Sequence, residues 1–232
     1  MVAAAFCVAL CVIIFAVASA GCAKVPDTGA GNGGTRLLFE LTVSREINPN
    51  YIYIVALRPS TDANPTEQGP IPVIAPPWGN GFVAGHVSYF VQWATVQSPR
   101  YLIYKFRDTN LIDYFTTGAP VNYIDVDPGG RKLKFELDLT QIVPDPLQAA
   151  NYQSIQVNFF TMDRIPQGNT GTKNWDAIGD GRLPGEVNTP LLIPLRTSGV
   201  YDNARYQNVE PLNDVADPDL DITDFRVEVS KR

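Results

Sequence analysis

The stretch LKFELDL, from Leu133 to Leu139, has the most regular alternation of apolar and polar side chains in the chain. Leucine or phenylalanine stands at every odd position, with Lys134, Glu136 and Asp138 between them. Successive side chains of a strand point to opposite faces of the sheet, so this period of two predicts a strand with one buried face. The stretch therefore indicates an all-β fold.

Similar segments occur before and after it. Leu37 to Val43 alternates in the same way, and Tyr51 to Arg58 is apolar on both faces, as expected for a central strand. Further strands are predicted at Phe82–Trp93, Tyr101–Arg107, Val121–Val126, Ile155–Phe159 and Ile222–Ser230. A single short helical turn is expected between Asp145 and Tyr152.

The segments between these strands are rich in glycine and proline, of which the chain has 18 and 19. Many strands joined by such segments favour a single antiparallel β-sandwich, with a closed barrel as the alternative. Three connections are too long for simple hairpins, namely 59–80, 164–190 and 197–219. Long loops on a rigid scaffold often carry function, so binding residues are sought there.

Composition excludes several classes of protein. With 232 residues, 45% hydrophobic and 18% charged, the chain can bury a core. A net charge of −6 without a cluster of Lys and Arg argues against a nucleic-acid surface. No cysteine follows Cys22, and the single histidine, His86, has no nearby Gly-x-Ser-x-Gly motif. These facts argue against disulfides, a thiolate metal site and a serine hydrolase.

The N-terminal segment from Val2 to Ala20 has no charge and no proline and is long enough to span a bilayer as a helix. It ends in Ser19-Ala20-Gly21-Cys22, which resembles the lipobox of bacterial lipoproteins. In those proteins cleavage precedes the cysteine, which then receives a lipid. The resemblance implies lipid attachment at Cys22, while an uncleaved membrane anchor and ordinary secretion are the alternatives.

This signature suggests three parts. Residues 1–21 form a signal peptide or membrane anchor, and 22–34 hold the attachment cysteine and a flexible Gly-rich tether. Residues 35–232 form the β-sandwich domain. We therefore expect an extracytoplasmic protein held at a membrane, in a cell envelope of bacterial type.

Acidic residues cluster once, in NDVADPDLDITD at 213–224. Alternate aspartates on one side of an extended segment would offer hard oxygen ligands, which suits calcium. The predicted calcium ligands are Asp217, Asp219 and Asp221. The alternative is an acidic turn leading into the last strand, and a weaker candidate is the pair Asp176 and Asp180. No other cofactor is expected.

Four aromatic residues of the long loops are candidates for ligand binding, because flat rings can stack on sugar faces. They are Trp78, Trp175, Tyr201 and Tyr206. The alternative for each ring is packing within the fold.

The order of elements, with a long aromatic and acidic loop before a final amphipathic strand, is loosely similar to the DOMON superfamily and to family 9 carbohydrate-binding modules. These families are secreted β-sandwiches that bind sugars or haem. The resemblance implies a sugar-binding module. Haem binding in these families uses Met and His ligands, for which the candidates here are His86 and Met162, and their placement in sequence does not support a haem site.

Three functions remain open. The first is a binding lipoprotein for carbohydrate or a cell-envelope polymer, which needs exposed, roughly coplanar rings over a groove. The second is a structural subunit of an envelope or membrane complex, which needs an extended apolar patch or an open edge strand. The third is a glycan hydrolase, which needs two carboxylates about 5–10 Å apart across a cleft.

Overall fold

The computed structural model describes residues 34–179, 190–207 and 209–232. The lipobox-like segment, Cys22 and the tether up to residue 33 lie outside the described residues. The described part belongs to one compact unit and contains fourteen strands and two short 3₁₀ helices. Within it, no helix has the length and apolar character needed to cross a membrane.

The strands are numbered in chain order. They are β1 Thr35–Val43, β2 Ile52–Ser60, β3 Ile71–Pro72, β4 Val83–Ala84, β5 Tyr89–Trp93, β6 Tyr101–Phe106, β7 Tyr114–Gly118, β8 Asn122–Ile124, β9 Lys132–Asp138, β10 Ser154–Met162, β11 Trp175–Ala177, β12 Leu191–Pro194, β13 Gly199–Asp202 and β14 Ile222–Lys231. The 3₁₀ helices are Leu139–Gln141 and Pro146–Asn151, the second of which is the predicted helical turn, capped by Asp145.

Two antiparallel sheets make up the fold. The five-stranded sheet has the order β13-β14-β1-β9-β8. The seven-stranded sheet has the order β11-β10-β2-β5-β6-β7, with β12 also paired to β10, and β3 and β4 form a small separate sheet. The predicted all-β sandwich is confirmed, and the sheets formed by the described strands are open and not closed into a barrel.

The main core lies between the two sheets and explains the alternating sequences. Every second residue of β1 is buried, and β9 follows the same pattern in register with it. Phe39 and Phe135 face each other across this pair, with their ring centroids 5.1 Å apart. The apolar face of each strand is therefore directed at the opposite sheet.

A second, outer core covers the other face of the seven-stranded sheet. Residues from the connection after β2 fold back over it, and Phe82 packs against Phe90 and Phe106 of the sheet. Strands β2 and β10 are thus buried on both faces, which explains why Tyr51 to Arg58 lacks alternation. The long first connection is a structural layer as well as a loop.

The predicted single strand at Phe82–Trp93 was wrong, because it is divided into β4 and β5. Gly85, between them, has a φ of +79°, and a Cβ at this position would collide with the carbonyl of Gly69. The chain must bend here to pass from the outer layer into the sheet. The long connections also contribute short strands that the sequence did not predict, namely β3, β11 and β13.

Candidate functional site

Four acidic side chains from different parts of the chain meet at one end of the sandwich. Asp176 lies in β11, and Asp221 directly precedes β14. Asp214 and Glu210 come from the connection between β13 and β14. Carboxylate oxygens of the three aspartates lie within 4.8 Å of one another. We call these four residues the carboxylate cluster.

Asp176 joins the two sheets at this point. Its neighbour Ala177 is buried in the outer core, and the Asp176 side chain is directed at β14 instead. The backbone N–H of Ile222 donates to its Oδ2 at 2.7 Å, and the N–H of Ala177 donates to its Oδ1 at 2.8 Å. The carboxylate is thereby fixed in position by two backbone groups.

Glu210 is held from the other side of the cluster. Its backbone N–H and C=O both bond to the side-chain amide of Asn203, and its Oε2 accepts from the N–H of Gly179 at 2.9 Å. Its Oε1 is buried and, among the described residues, has no hydrogen-bond partner. The same is true of Oδ1 of Asp221. Glu210 and Asp221 are only 2% and 1% exposed.

Two carboxyl groups of the carboxylate cluster have raised pKa values. Burial raises the pKa of Asp176 well above its usual value, and the charges of Asp214 and Asp221 raise it further. Burial also raises the pKa of Glu210 to about 11, with the charge of Asp176 as the next cause. Buried carboxylates become costly to ionise when no positive charge compensates them.

The predicted calcium ligands are not brought together. The segment that holds them is a turn, in which the N–H groups of Leu220 and Asp221 both donate to the carbonyl of Asp217. Alternate residues therefore do not share one side, as they would in an extended strand. Only Asp221 of the predicted three belongs to the carboxylate cluster.

Asp219 and Asp217 have other partners. Arg45 binds Asp219 through two hydrogen bonds of 2.8 Å, and Asn48 donates to the same carboxylate at 3.1 Å. The Arg45 guanidinium holds the pKa of Asp219 below its usual value. Asp217 accepts from the hydroxyl of Tyr51 at 2.7 Å. These two aspartates fasten the turn to the segment before β2.

Asp176 was predicted with Asp180 as a weaker metal pair. The structure places Asp176 in the carboxylate cluster, whereas Asp180 lies outside the described residues. Glu210 was missed, because nothing in its local sequence links it to residues 34 positions before it. Its only available signal was that it lies four residues before the acidic segment that begins at Asp214.

The aromatic candidates lie in two separate groups. Trp78 and Trp175 both flank the ammonium group of Lys173, at 5.3 and 5.9 Å from their ring centroids. Trp78 is only 5% exposed and Trp175 is half-buried against the outer core. In this arrangement the rings hold Lys173 and offer little flat surface to a sugar.

Tyr201 and Tyr206 lie against the inter-sheet core instead. Tyr201 is buried under the guanidinium of Arg205, which lies 4.4 Å from its ring centroid. The hydroxyl of Tyr206 donates to the carbonyl of Leu192 at 3.1 Å. The four predicted rings therefore do not form one exposed platform.

A pocket opens where β2, β5 and β6 end together. It has a volume of about 310 Å³, and its walls include the apolar side chains of Val87, Tyr89, Phe106 and Leu111. Its basic lining residues are Arg58, His86, Lys105 and Arg107, with Asp108 as the acidic one. We call this the basic pocket.

The cations of the basic pocket are fixed to different degrees. Arg58 donates to Gln156 at 2.6 Å and to Glu67 at 3.0 Å. Lys105 and Arg107 instead lie over the rings of Tyr89 and Phe115, at 5.6 and 4.7 Å from the centroids, and neither is in an ion pair within the described ranges. Their charges remain available to a ligand.

His86 and Met162 lie in different surroundings. His86 is exposed and its Nδ1 lies 3.1 Å from the carbonyl of Gln68, whereas Met162 is buried in the outer core. Comparison of the chain with protein-family models, with curated proteins and with solved structures finds no match.

Proposed function

We propose that the protein is a non-catalytic binding module, held outside the cytoplasm at a membrane through Cys22, whose ligand is an anionic carbohydrate or cell-envelope polymer. The observation that carries this proposal is the basic pocket, with cations on its rim and apolar walls. The membrane attachment rests on the lipobox-like sequence, and the folded module begins only a short tether after it.

The chemistry of the pocket suits a charged sugar. Its volume of about 310 Å³ is at the lower end of the range typical of small-molecule sites, which fits one or two sugar units. Lys105 and Arg107 can donate to carboxylate or phosphate oxygens of an acidic sugar, beside the apolar walls of the pocket.

The net charge of the protein also limits where an anionic ligand can bind. With a net charge of −6, the protein as a whole repels polyanions. Salt screens that repulsion beyond about 8 Å at physiological ionic strength, so direct contacts within the pocket decide the outcome. An anionic ligand would therefore bind at this site and not along the general surface.

Binding of defined polymers by isothermal titration calorimetry tests the proposal. The probes are polygalacturonate and poly(glycerol phosphate) as anionic polymers and pullulan as a neutral one. We expect at least one anionic polymer to bind and pullulan not to bind. The double variant K105Q/R107Q should weaken binding at least about tenfold, since two charge-assisted hydrogen bonds are lost.

The matched control is R196Q, which removes one charge from an exposed arginine outside the pocket lining. It should bind like the parent protein. Equal binding of pullulan, or undiminished binding by K105Q/R107Q, would contradict the proposal.

A second candidate function, a structural subunit of an envelope complex, is supported by the edge strand β7. All five of its residues are exposed, and its outer edge pairs with no strand in the described part of the chain. Large apolar side chains are exposed on and around it. They are Ile112, Tyr114, Phe115, Val121 and Ile124. An open apolar edge can receive a strand from another polypeptide.

Site-specific photo-crosslinking in native membranes separates this candidate from the first. A photoreactive residue at Ile112, which is 72% exposed, should give one product of defined mass. The same residue at Val96, which is 93% exposed and lies elsewhere, should not. Equal labelling at both positions, or none at Ile112, would count against a subunit role.

A further inference from the structure

We infer that the carboxylate cluster of Asp176, Asp214, Asp221 and Glu210 is a calcium site that fastens the β13–β14 connection to both sheets of the sandwich. This site differs from the sequence-predicted one, with which it shares only Asp221. It is also independent of the ligand proposed for the basic pocket.

The geometry provides the required ligand atoms. Calcium takes six to eight oxygen ligands at about 2.3–2.6 Å, so oxygens on opposite sides of one ion lie roughly 5 Å apart. The three aspartates bring oxygens within 4.8 Å of one another, which fits around a single ion. The Glu210 carboxylate lies beside this group, and bidentate contacts or water would complete the shell.

Two buried carboxylate oxygens lack a hydrogen-bond partner among the described residues. Oε1 of Glu210 and Oδ1 of Asp221 are both enclosed, and the described residues supply no hydrogen-bond donor to either. Buried polar atoms are almost always satisfied in folded proteins. Two unsatisfied acceptors in one acidic cluster are what a bound cation would leave once it is removed.

The surrounding contacts fix the carboxylates in place before any ion binds. Backbone N–H groups of Ala177 and Ile222 hold Asp176, the N–H of Gly179 holds Glu210, and Asn203 fixes the backbone of Glu210. Such support orients ligands and reduces the entropy lost on binding. The cluster therefore resembles an organised site more than a group of solvated acids.

The chemistry of the ligand atoms indicates which kind of metal ion would bind. All ligand atoms are carboxylate oxygens, which suit hard cations rather than zinc or copper. Magnesium demands octahedral geometry and keeps several of its waters, whereas calcium accepts several carboxylates in irregular geometry. A site whose three grouped carboxylates come from β11 and from the β13–β14 connection, with Glu210 beside them, fits calcium better.

The calcium site and the basic pocket can be tested separately because they lie at opposite ends of β10. Arg58 of the pocket pairs opposite Gln156, whereas Asp176 pairs opposite Thr161. Five residues of strand correspond to roughly 17 Å. Loss of one activity need not remove the other.

Calcium titration of the metal-stripped full chain in detergent tests the inference. We expect one calcium ion per chain by calorimetry, with a dissociation constant at or below about 1 mM, as in extracellular modules. At calcium of about 100 times that constant, the thermal midpoint should rise by about 5–10 °C. Magnesium at equal concentration should give less than a third of this rise.

Two variants locate the site. E210Q keeps an acceptor for the N–H of Gly179 and D221N keeps the side-chain shape, so both should fold without calcium. Each should reduce calcium affinity at least tenfold and abolish most of the thermal shift. The control D217N removes one charge from the same acidic segment and should bind calcium like the parent.

Several results of these titrations would overturn the calcium site, move it or change the metal. Absence of binding and an unchanged midpoint at 10 mM calcium would overturn it, as would calcium binding that E210Q and D221N leave intact. Loss of binding in D217N alone would move the site back to the residues predicted from sequence. Equal stabilisation by magnesium would overturn the choice of calcium.

Discussion

Among the described residues, Lys173 is the one lysine or arginine that is buried. Its ammonium group donates to the carbonyl of Gly81 at 2.8 Å and lies between Trp78 and Trp175. Burial lowers its pKa to about 8, against a smaller opposing effect of the Asp163 carboxylate. The two tryptophans that looked like ligand-binding rings therefore serve a cation of the protein itself.

This residue gives stability a distinctive pH dependence. Between pH 8 and the pKa of an unfolded lysine, about 10.4, the unfolded chain binds the proton more tightly than the folded one. The contribution of Lys173 to stability should therefore rise with pH in that window, while the raised pKa of Glu210 acts in the opposite direction. We expect Lys173 to contribute a gain of about 1–2 kcal/mol in the free energy of unfolding between pH 7.5 and 9.5, measured by urea denaturation of the parent and of K173M.

The stabilising effect of raising the pH ends near pH 10. Burial raises the pKa of Tyr89 to about 12 and raises those of Tyr53 and Tyr101 further, so the unfolded chain loses these protons first and stability then falls. K173M should lack the rise, whereas K132M, at a half-exposed lysine, should keep it. Parallel pH profiles for the parent and K173M would show that Lys173 is not the cause.

At the scale of elements, the connection after β2 acts as a packing layer over the seven-stranded sheet. Phe82 is its main anchor, since it is 1% exposed and its ring contacts those of Phe90, Phe106 and Tyr114. This layer has its own core, separate from the one between the sheets. The two cores should respond differently to a mutation in one of them.

The variant F82A tests that separation. It should lower the free energy of unfolding by about 3–5 kcal/mol through lost burial and a cavity. Hydrogen exchange should accelerate most at amides of 71–84, while β1 stays protected until global unfolding. The exposed control V96A should change neither quantity. Equal loss of protection in β1 would mean that both cores unfold as one unit.

The strands predictable from sequence are those with one buried face. Alternation identified β1, β9 and β14 because each has one face in the inter-sheet core. The short strands β7, β11 and β13 have too few residues to show a period, and their pairing depends on longer neighbours. Local sequence could not reveal them.

The candidate sites were predictable only in part, for a related reason. Asp221 stood out in an acidic segment, and Asp176 was named in a weaker pair. Their meeting depends on β11 and β14 lying at one end of two different sheets, which no spacing in the sequence reports. The basic pocket likewise collects its cations from β2, β6 and the bend before β5.

At the scale of the whole molecule, the fold is a sandwich with chemically different ends. One end of β10 lies near the basic pocket and the other near the carboxylate cluster. In our account, a calcium ion stabilises one end while the other meets an anionic ligand outside the cell membrane. The carboxylate cluster is central to this account, because the ion would link the acidic connection to both sheets.

The most direct test of the inferred calcium site is an anomalous difference map from crystals grown with calcium chloride. We expect one peak about 2.3–2.6 Å from carboxylate oxygens of Asp176, Asp214 and Asp221. A map without a peak at these oxygens, or with its peak at Asp217 and Asp219, would contradict a calcium site at the carboxylate cluster.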